Sequence, residues 1–287
     1  MGLANIFQVP IIQKLVFDSI EILLIRVHTG TTHREEHSVA EIMGCIREDT
    51  ACSYLFDIDD TLYTNPHYRK EGARRELCEI ATKLGVDYAT VQERVNAKRS
   101  EIKDAADREP TLTETVYALG ITREQWNELR CRVWQPCEWI APDPELYTKI
   151  CWLVRKNSEC QIAFGTNSPV AVGRETLRAL GIPDIFRVFG PESFGVSKPD
   201  QMFFLKIAAS FETNADAWIS IGDRKMSDAE PALAAGFCAA VIVQGRDDLV
   251  EFLNHLLINP GDIYNGTKRQ YNLTAQHRHP PSDTGQN

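Results

Sequence analysis

Five short apolar runs, at 54–56, 161–164, 187–189, 218–221 and 239–243, alternate with stretches of helical pattern, and each gives way to turn residues before the next helix begins. That alternation predicts an α/β fold, a doubly wound parallel sheet of Rossmann-like form. In an open sheet of this kind the chemistry gathers where the strands end. The first run, Tyr54-Leu55-Phe56, leads straight into two carboxylates two residues apart, Asp57 and Asp59, where a buried strand would meet solvent.

Between the first and second runs lies a long insert with no strand signal. Asn65 and Pro66 open a first helix, whose apolar positions Ala73, Leu77, Ile80 and Leu84 follow helical spacing, and Gly85 closes it. A second helix runs from about Asp87 through Val91, Val95 and Ile102, and a third ends at Gly120. A fourth begins with the capping box Thr122-Arg123-Glu124-Gln125 ahead of Trp126, Leu129 and Val133. Pro136, Pro142 and Pro144 punctuate the return. Residues 63–140 are therefore expected to be an inserted, all-helical cap domain above the first acids, hinged near Tyr63 and Trp139, with 51–62 and 141–258 forming the α/β core.

Residues 1–50 read as an extension without assigned structure. Their apolar stretches at 9–12 and 22–25 are interrupted by Lys14, Asp18, Glu21 and Arg26, so no window of about 18 uncharged apolar residues spans a bilayer. Nor do a leading basic stretch and a small-residue cleavage site mark a signal peptide. Residues 259–287 are expected to be disordered, since from Tyr264 onward there is hardly an aliphatic side chain. A net charge of -9 argues against a nucleic-acid polymer as partner, because phosphate-backbone binding leans on clustered Lys and Arg. The eight cysteines include no C-x-x-C pair, so neither a zinc site nor a disulfide framework is signalled, and reduced thiols in a cytoplasmic protein are expected.

Three further polar stations sit beside later runs. Ala163-Phe164-Gly165-Thr166-Asn167-Ser168-Pro169 leaves a strand and enters a helix, with Ser168 as expected N-cap and Pro169 at the first helical position. Lys198 stands before Pro199 at the mouth of a helix over 201–211 and offers a fixed positive charge. Asp223 follows the run 218–221 directly, and Asp228 falls in the first turn of a helix for which Ser227 and Glu230 form a capping box and Gly236 the close. Taken singly, each has a blander account: acids on a solvated strand end, plain capping at 166–169, a solvated lysine, a helix-dipole aspartate at 228. A calcium loop is excluded, because Asp57, Asp59 and Thr61 have the spacing but Leu62 stands where the loop needs Gly and Tyr68 where it needs an acid.

Together and in this order, the four stations resemble the motifs of the haloacid-dehalogenase-like hydrolase superfamily over roughly 54–243. The D-x-D-x-T motif corresponds to Asp57-Ile58-Asp59-Asp60-Thr61, the second motif to Thr166, the third to Lys198 and the acidic fourth to Asp223 with Asp228. The helical insert resembles that family's type 1 cap, and 56–63 is similar to the pyrimidine 5'-nucleotidase-like branch. The resemblance implies a phosphatase acting on a small phosphorylated metabolite, such as a nucleoside monophosphate. It assigns Asp57 as nucleophile and Asp59 as acid and base, with Thr166, Asn167 and Lys198 holding the phosphoryl group. It implies Mg²⁺ held by Asp57, the Asp59 carbonyl, Asp223 and Asp228. A phosphomutase uses the same residues, and a regulatory protein can retain the fold without the chemistry. Tyr63, His67, Tyr68, Arg69 and Arg74, near the hinge, are candidates for substrate specificity.

Overall fold

The computed structural model describes residues 13–17, 20–29, 37–44, 53–106, 110–156 and 159–258. The tail at 259–287, expected to be disordered, lies outside the described residues. Strand β4 (Ser53–Asp57) is buried along its whole length, and its side chains alternate between two covered faces. Tyr54 and Phe56 join one apolar cluster, and Leu55 joins another. Strands buried on both faces read as continuous apolar runs, which is why the run at 54–56 shows no polar alternation.

In chain order the strands are β1 (Gln13–Phe17), β2 (Ile20–Thr29), β3 (His37–Gly44), β4, β5 (Ile162–Gly165), β6 (Arg187–Phe189), β7 (Trp218–Gly222) and β8 (Ala239–Ile242). They lie side by side as β1-β2-β3-β8-β7-β4-β5-β6. The segment from β8 through β7, β4 and β5 to β6 is parallel throughout. The chain moves from β4 outward to β5 and β6, then crosses back to β7 and β8 on the other side of β4. The direction of winding therefore reverses at β4, and the crevice outside its carboxyl end is the usual place for a ligand in such a sheet. Helices α5 (Pro144–Lys156), α6 (Val170–Ala179) and α10 (Arg246–Ile258) supply Leu146, Ile150, Leu177, Leu249 and Leu253 to one face. On the other face, α8 (Gln201–Ser210) and α9 (Glu230–Ala234) supply Phe203, Phe204, Ile207 and Ala232. The short α7 (Pro191–Phe194) follows β6.

The first fifty residues add structure that the sequence pattern does not announce. β3 pairs antiparallel with β8, and β2 with β3, so the sheet is parallel only in its core. Glu41 opposite Ile242 breaks the apolar run on which a strand assignment depends, while Met43 is buried against Ala229, Ala240 and Ile242. No helix among the described residues is long and apolar enough to cross a membrane.

The insert is all helical: α1 (Pro66–Leu84), α2 (Tyr88–Ala106), α3 (Leu112–Ala118) and α4 (Arg123–Val133). Asn65 caps α1 by accepting from the Tyr68 amide, an arrangement worth about 1 kcal/mol, and Gly85 closes it. Thr122 and Gln125 form the expected capping box at α4. These helices bury Ile80, Val91, Val95, Val116, Trp126, Leu129 and Val133 in a cluster of their own. The buried row of α1 is Tyr68, Gly72, Glu76 and Ile80, with Leu77 and Leu84 packed against the same cluster as Ile80, a correction to the expected stripe at Ala73, which is exposed. Its cause is Trp134, whose ring lies where a Cβ on Gly72 would sit, and whose indole N–H donates to Glu76. An acid on the buried row hides the true face from a hydrophobic pattern.

Candidate active site

At the end of β4, Asp57 is buried, with Oδ2 accepting from the Thr61 hydroxyl at 3.0 Å and Oδ1 meeting Lys198 Nζ at 2.5 Å. Lys198 precedes α8 and is only 5% exposed. Its ammonium also reaches Asp228 Oδ1 at 2.6 Å. Burial would pull the lysine down, but Asp228 and Asp57 outweigh it and hold the ammonium firmly protonated. Burial pushes the Asp57 carboxyl up to about 7; Lys198 opposes this, while Asp228 and Asp59 add to it.

Asp59 stands two residues on, where the chain turns out of the strand through the Leu62 N–H to Ile58 carbonyl bond. Three hydroxyls donate to it: Tyr63 to Oδ1 at 2.8 Å, and Thr166 and Ser168 to Oδ2 at 3.2 and 3.0 Å. Burial, then the Asp59 charge, keeps the Tyr63 hydroxyl protonated well above its ordinary range. Thr166 is fully buried at the end of β5, and its oxygen accepts from the Ser168 amide at 2.9 Å. The expected N-cap at Ser168 is corrected by one residue. Pro169 is the cap, with a ring that has no polar atom to offer the helix, and the Ser168 hydroxyl is turned to Asp59. Asn167 joins the site by donating to the Lys198 carbonyl at 3.1 Å, and its own Oδ1 is buried without a hydrogen-bond partner among the described residues.

After β7 the chain enters a single π turn, Lys225–Ala229, before α9. This replaces the expected capping box at Ser227, whose hydroxyl donates to Asp228 Oδ2 instead of accepting from a helix N–H. A π turn re-aims one residue, a habit of functional positions, and here it carries Asp228 under the Lys198 ammonium. Gly222 makes room: a Cβ there would lie 2.5 Å from Asp228 Cγ. Gly222→Ala is expected to cost about 1–3 kcal/mol by overpacking and to displace Asp228, read as a lower melting temperature together with weakened metal affinity.

Carboxylate oxygens of Asp57, Asp223 and Asp228 lie within 4.8 Å of one another. Asp223 Oδ1 is buried without a hydrogen-bond partner among the described residues, and burial pushes that carboxyl up against the opposing Arg224. Three acids, two of them on Lys198 and the third on Arg224, with one oxygen left bare among the described residues, fit a hard dication that prefers oxygen donors. The hinge candidates divide. Tyr63 touches Asp59; Tyr68 is buried, with rings of Trp134 and Trp139 against it and its hydroxyl unpartnered; His67 stacks on Trp139. Arg69 pairs with Asp60 and Arg74 with Glu71 at the surface, so neither is turned into the site. Sequence reasoning missed Arg130, Glu76 and Trp134, which link α4 and α1 to the loop carrying Thr166. The one signal available for them was an acid on a helix row otherwise filled by Tyr68, Gly72 and Ile80.

Comparisons with known proteins add similarities of chain trace. No family model matches the chain, and no curated protein matches it. Among solved structures, it is similar to a HAD phosphatase from Thermococcus onnurineus at 21% identity, covering 65% of this chain and 83% of that one, with a TM-score of 0.46. It is also similar to a 2-haloacid dehalogenase from Pseudomonas syringae pv. Tomato, at 22% identity over 65% of this chain and 84% of that one, TM-score 0.42. A third is a β-phosphoglucomutase from Clostridium difficile, at 19% identity over 64% and 81%, TM-score 0.38. The chemistry has to be taken from this chain's own residues.

Proposed function

We propose that this protein is a metal-dependent phosphatase of the haloacid-dehalogenase-like kind, hydrolysing a small phosphate monoester through a phosphoryl group carried on Asp57. The observation that carries the proposal is the pairing at the end of β4: a buried carboxylate on Lys198, with a second carboxylate, held by three hydroxyls, two residues away. Asp57 is placed to attack phosphorus, forming a carboxyl O–P bond as the ester P–O bond breaks. Asp59 gives a proton to the departing oxygen, then takes one from the water that attacks the acyl phosphate, releasing inorganic phosphate and restoring the Asp57 carboxylate. Lys198, with Thr166 and Asn167 turned from their present partners, Asp59 and the Lys198 carbonyl, would meet the charge that builds on the phosphoryl oxygens. Asp57, Asp223 and Asp228, with the Asp59 carbonyl, would hold Mg²⁺, which when bound offsets the repulsion between the acids and a dianionic ester.

The partly buried aromatics at the hinge, Tyr63 and Trp139, favour a leaving group with a flat or apolar face, and a nucleoside monophosphate is the form we propose. The test is turnover in water enriched in heavy oxygen, with Mg²⁺, across nucleoside monophosphates, sugar phosphates and phosphoglycolate. One solvent oxygen is expected in each phosphate released. Accumulation of a phosphorylated isomer without solvent oxygen would make the protein a mutase, and no turnover of any ester would leave it a binding or regulatory protein.

A further inference from the structure

Arg130 is far in sequence from every acid of the site, yet its guanidinium divides its donors between cap and core. On the cap side, Nε meets Glu76 Oε1 at 2.9 Å, the same oxygen that accepts from the Trp134 indole at 2.7 Å, and the guanidinium lies 5.6 Å from the centre of a Trp126 ring. On the core side, Nη1 donates to the Asn167 carbonyl at 2.7 Å and Nη2 to Ser168 Oγ at 3.1 Å. Glu76 is 4% exposed, so this arginine is held by a buried anion.

A guanidinium can only donate. Ser168 Oγ is therefore the acceptor from Arg130, and its single proton is left for Asp59 Oδ2. The Thr166 hydroxyl is constrained in the same sense, because its oxygen accepts from the Ser168 amide and its proton faces that same Oδ2. We infer that Arg130 is a positioning residue, carried by the cap, which acts through Ser168 to fix the orientation of the Asp59 carboxylate. The inference rests on the hydrolase proposal for Asp59. It adds that the geometry of Asp59 is complete only while α4 is seated on the 166–169 loop, a seating also marked by Arg123 Nη1 donating to the Gly195 carbonyl at 2.8 Å.

The test uses the full chain and two esters: p-nitrophenyl phosphate, whose leaving group departs without a proton, and a simple alkyl phosphate, whose leaving group needs one. Arg130→Lys keeps a cation beside Glu76 but loses the fork that reaches both Asn167 and Ser168. Ser168→Ala leaves the cap untouched, and serves alone if the lysine variant does not fold. Each is expected to lower kcat/KM on the alkyl ester, which reports the phosphorylation step alone, by roughly 10- to 100-fold, with a much smaller loss of kcat/KM on the aryl ester, while the shared hydrolysis of the acyl phosphate slows alike for both. The double variant should be no worse than the poorer single one, since both remove one chain of contacts. Equal losses on the two esters, additive losses, or a silent Ser168→Ala would reduce Arg130 to a tether and overturn the inference while leaving the phosphatase standing. A wild-type protein inert to both esters would bring down both.

Discussion

Asp57→Asn is expected to abolish turnover and, in the metal-free protein, to raise the melting temperature. The loss follows from removing the proposed nucleophile, for which a fall of about 10⁴-fold or more is the scale seen when a covalent catalyst is deleted. The gain follows from the charge count. In the folded chain Asp57 holds its proton up to about 7, well above an ordinary carboxyl, chiefly because it is buried. A group whose pKa is raised by folding stabilises most below its unfolded value, and that stability is lost as pH rises through the folded one. Wild type should therefore lose stability between about pH 4 and 7 on account of this residue, at about 1.4 kcal/mol for each step of one in pH, and the asparagine variant should not. Melting curves without metal should separate at pH 8 and converge near pH 4. Added Mg²⁺ should stabilise wild type and leave the variant nearly unmoved. An asparagine variant that melts below wild type at pH 8 without metal would refute the account of the site as an excess of negative charge.

Lys198→Met should have the largest effect on folding. The ammonium is the shared partner of Asp57 and Asp228, both buried, and its removal strands two carboxylates. Breaking a buried pair from one side costs about 3–5 kcal/mol. For a domain of this size that lowers the melting temperature by roughly 10 °C. With the lysine gone Asp57, already raised by burial, is pushed further up, so the folded state takes up a proton and the deficit shrinks as pH falls from 8 towards 5. Thermal melts across that range check the sign. A deficit independent of pH would mean that the lysine acts by packing alone. Activity should be lost at every pH, because the phosphoryl oxygens lose their fixed cation.

The parallel core was legible because β4, β5, β7 and β8 are covered on both faces, and such strands announce themselves as unbroken apolar runs. The helical insert was legible because Asn65, Gly85 and Thr122 are local signals whose partners lie within a turn. Ser168 and Ser227 look like helix caps for the same local reason. They are diverted by Asp59, 109 residues away, and by a π turn whose cause is the space at Gly222, and neither is visible in a window of ten residues. β3 escaped because its inward positions are mixed with charged ones, and its partner β8 is nearly two hundred residues distant. Arg130 and Glu76 escaped because a buried ion pair between two helices has the composition of a solvated surface until the fold sets them face to face.

β3 has a role beyond lengthening the sheet. The parallel segment, left to itself, would end at β8 with a row of unmatched amide and carbonyl groups along 239–242, which is the sort of template on which chains of the same kind stack into aggregates. By pairing there in the opposite direction, 41–44 occupies that template from within the molecule. The same strand sets Met43 beneath Ala229, immediately after Asp228. Solubility of the folded chain and the aim of a carboxylate in its crevice thus depend on one short stretch of backbone, so a shortened protein that began at Ser53 would keep every acid of the site and still lose the support under one of them.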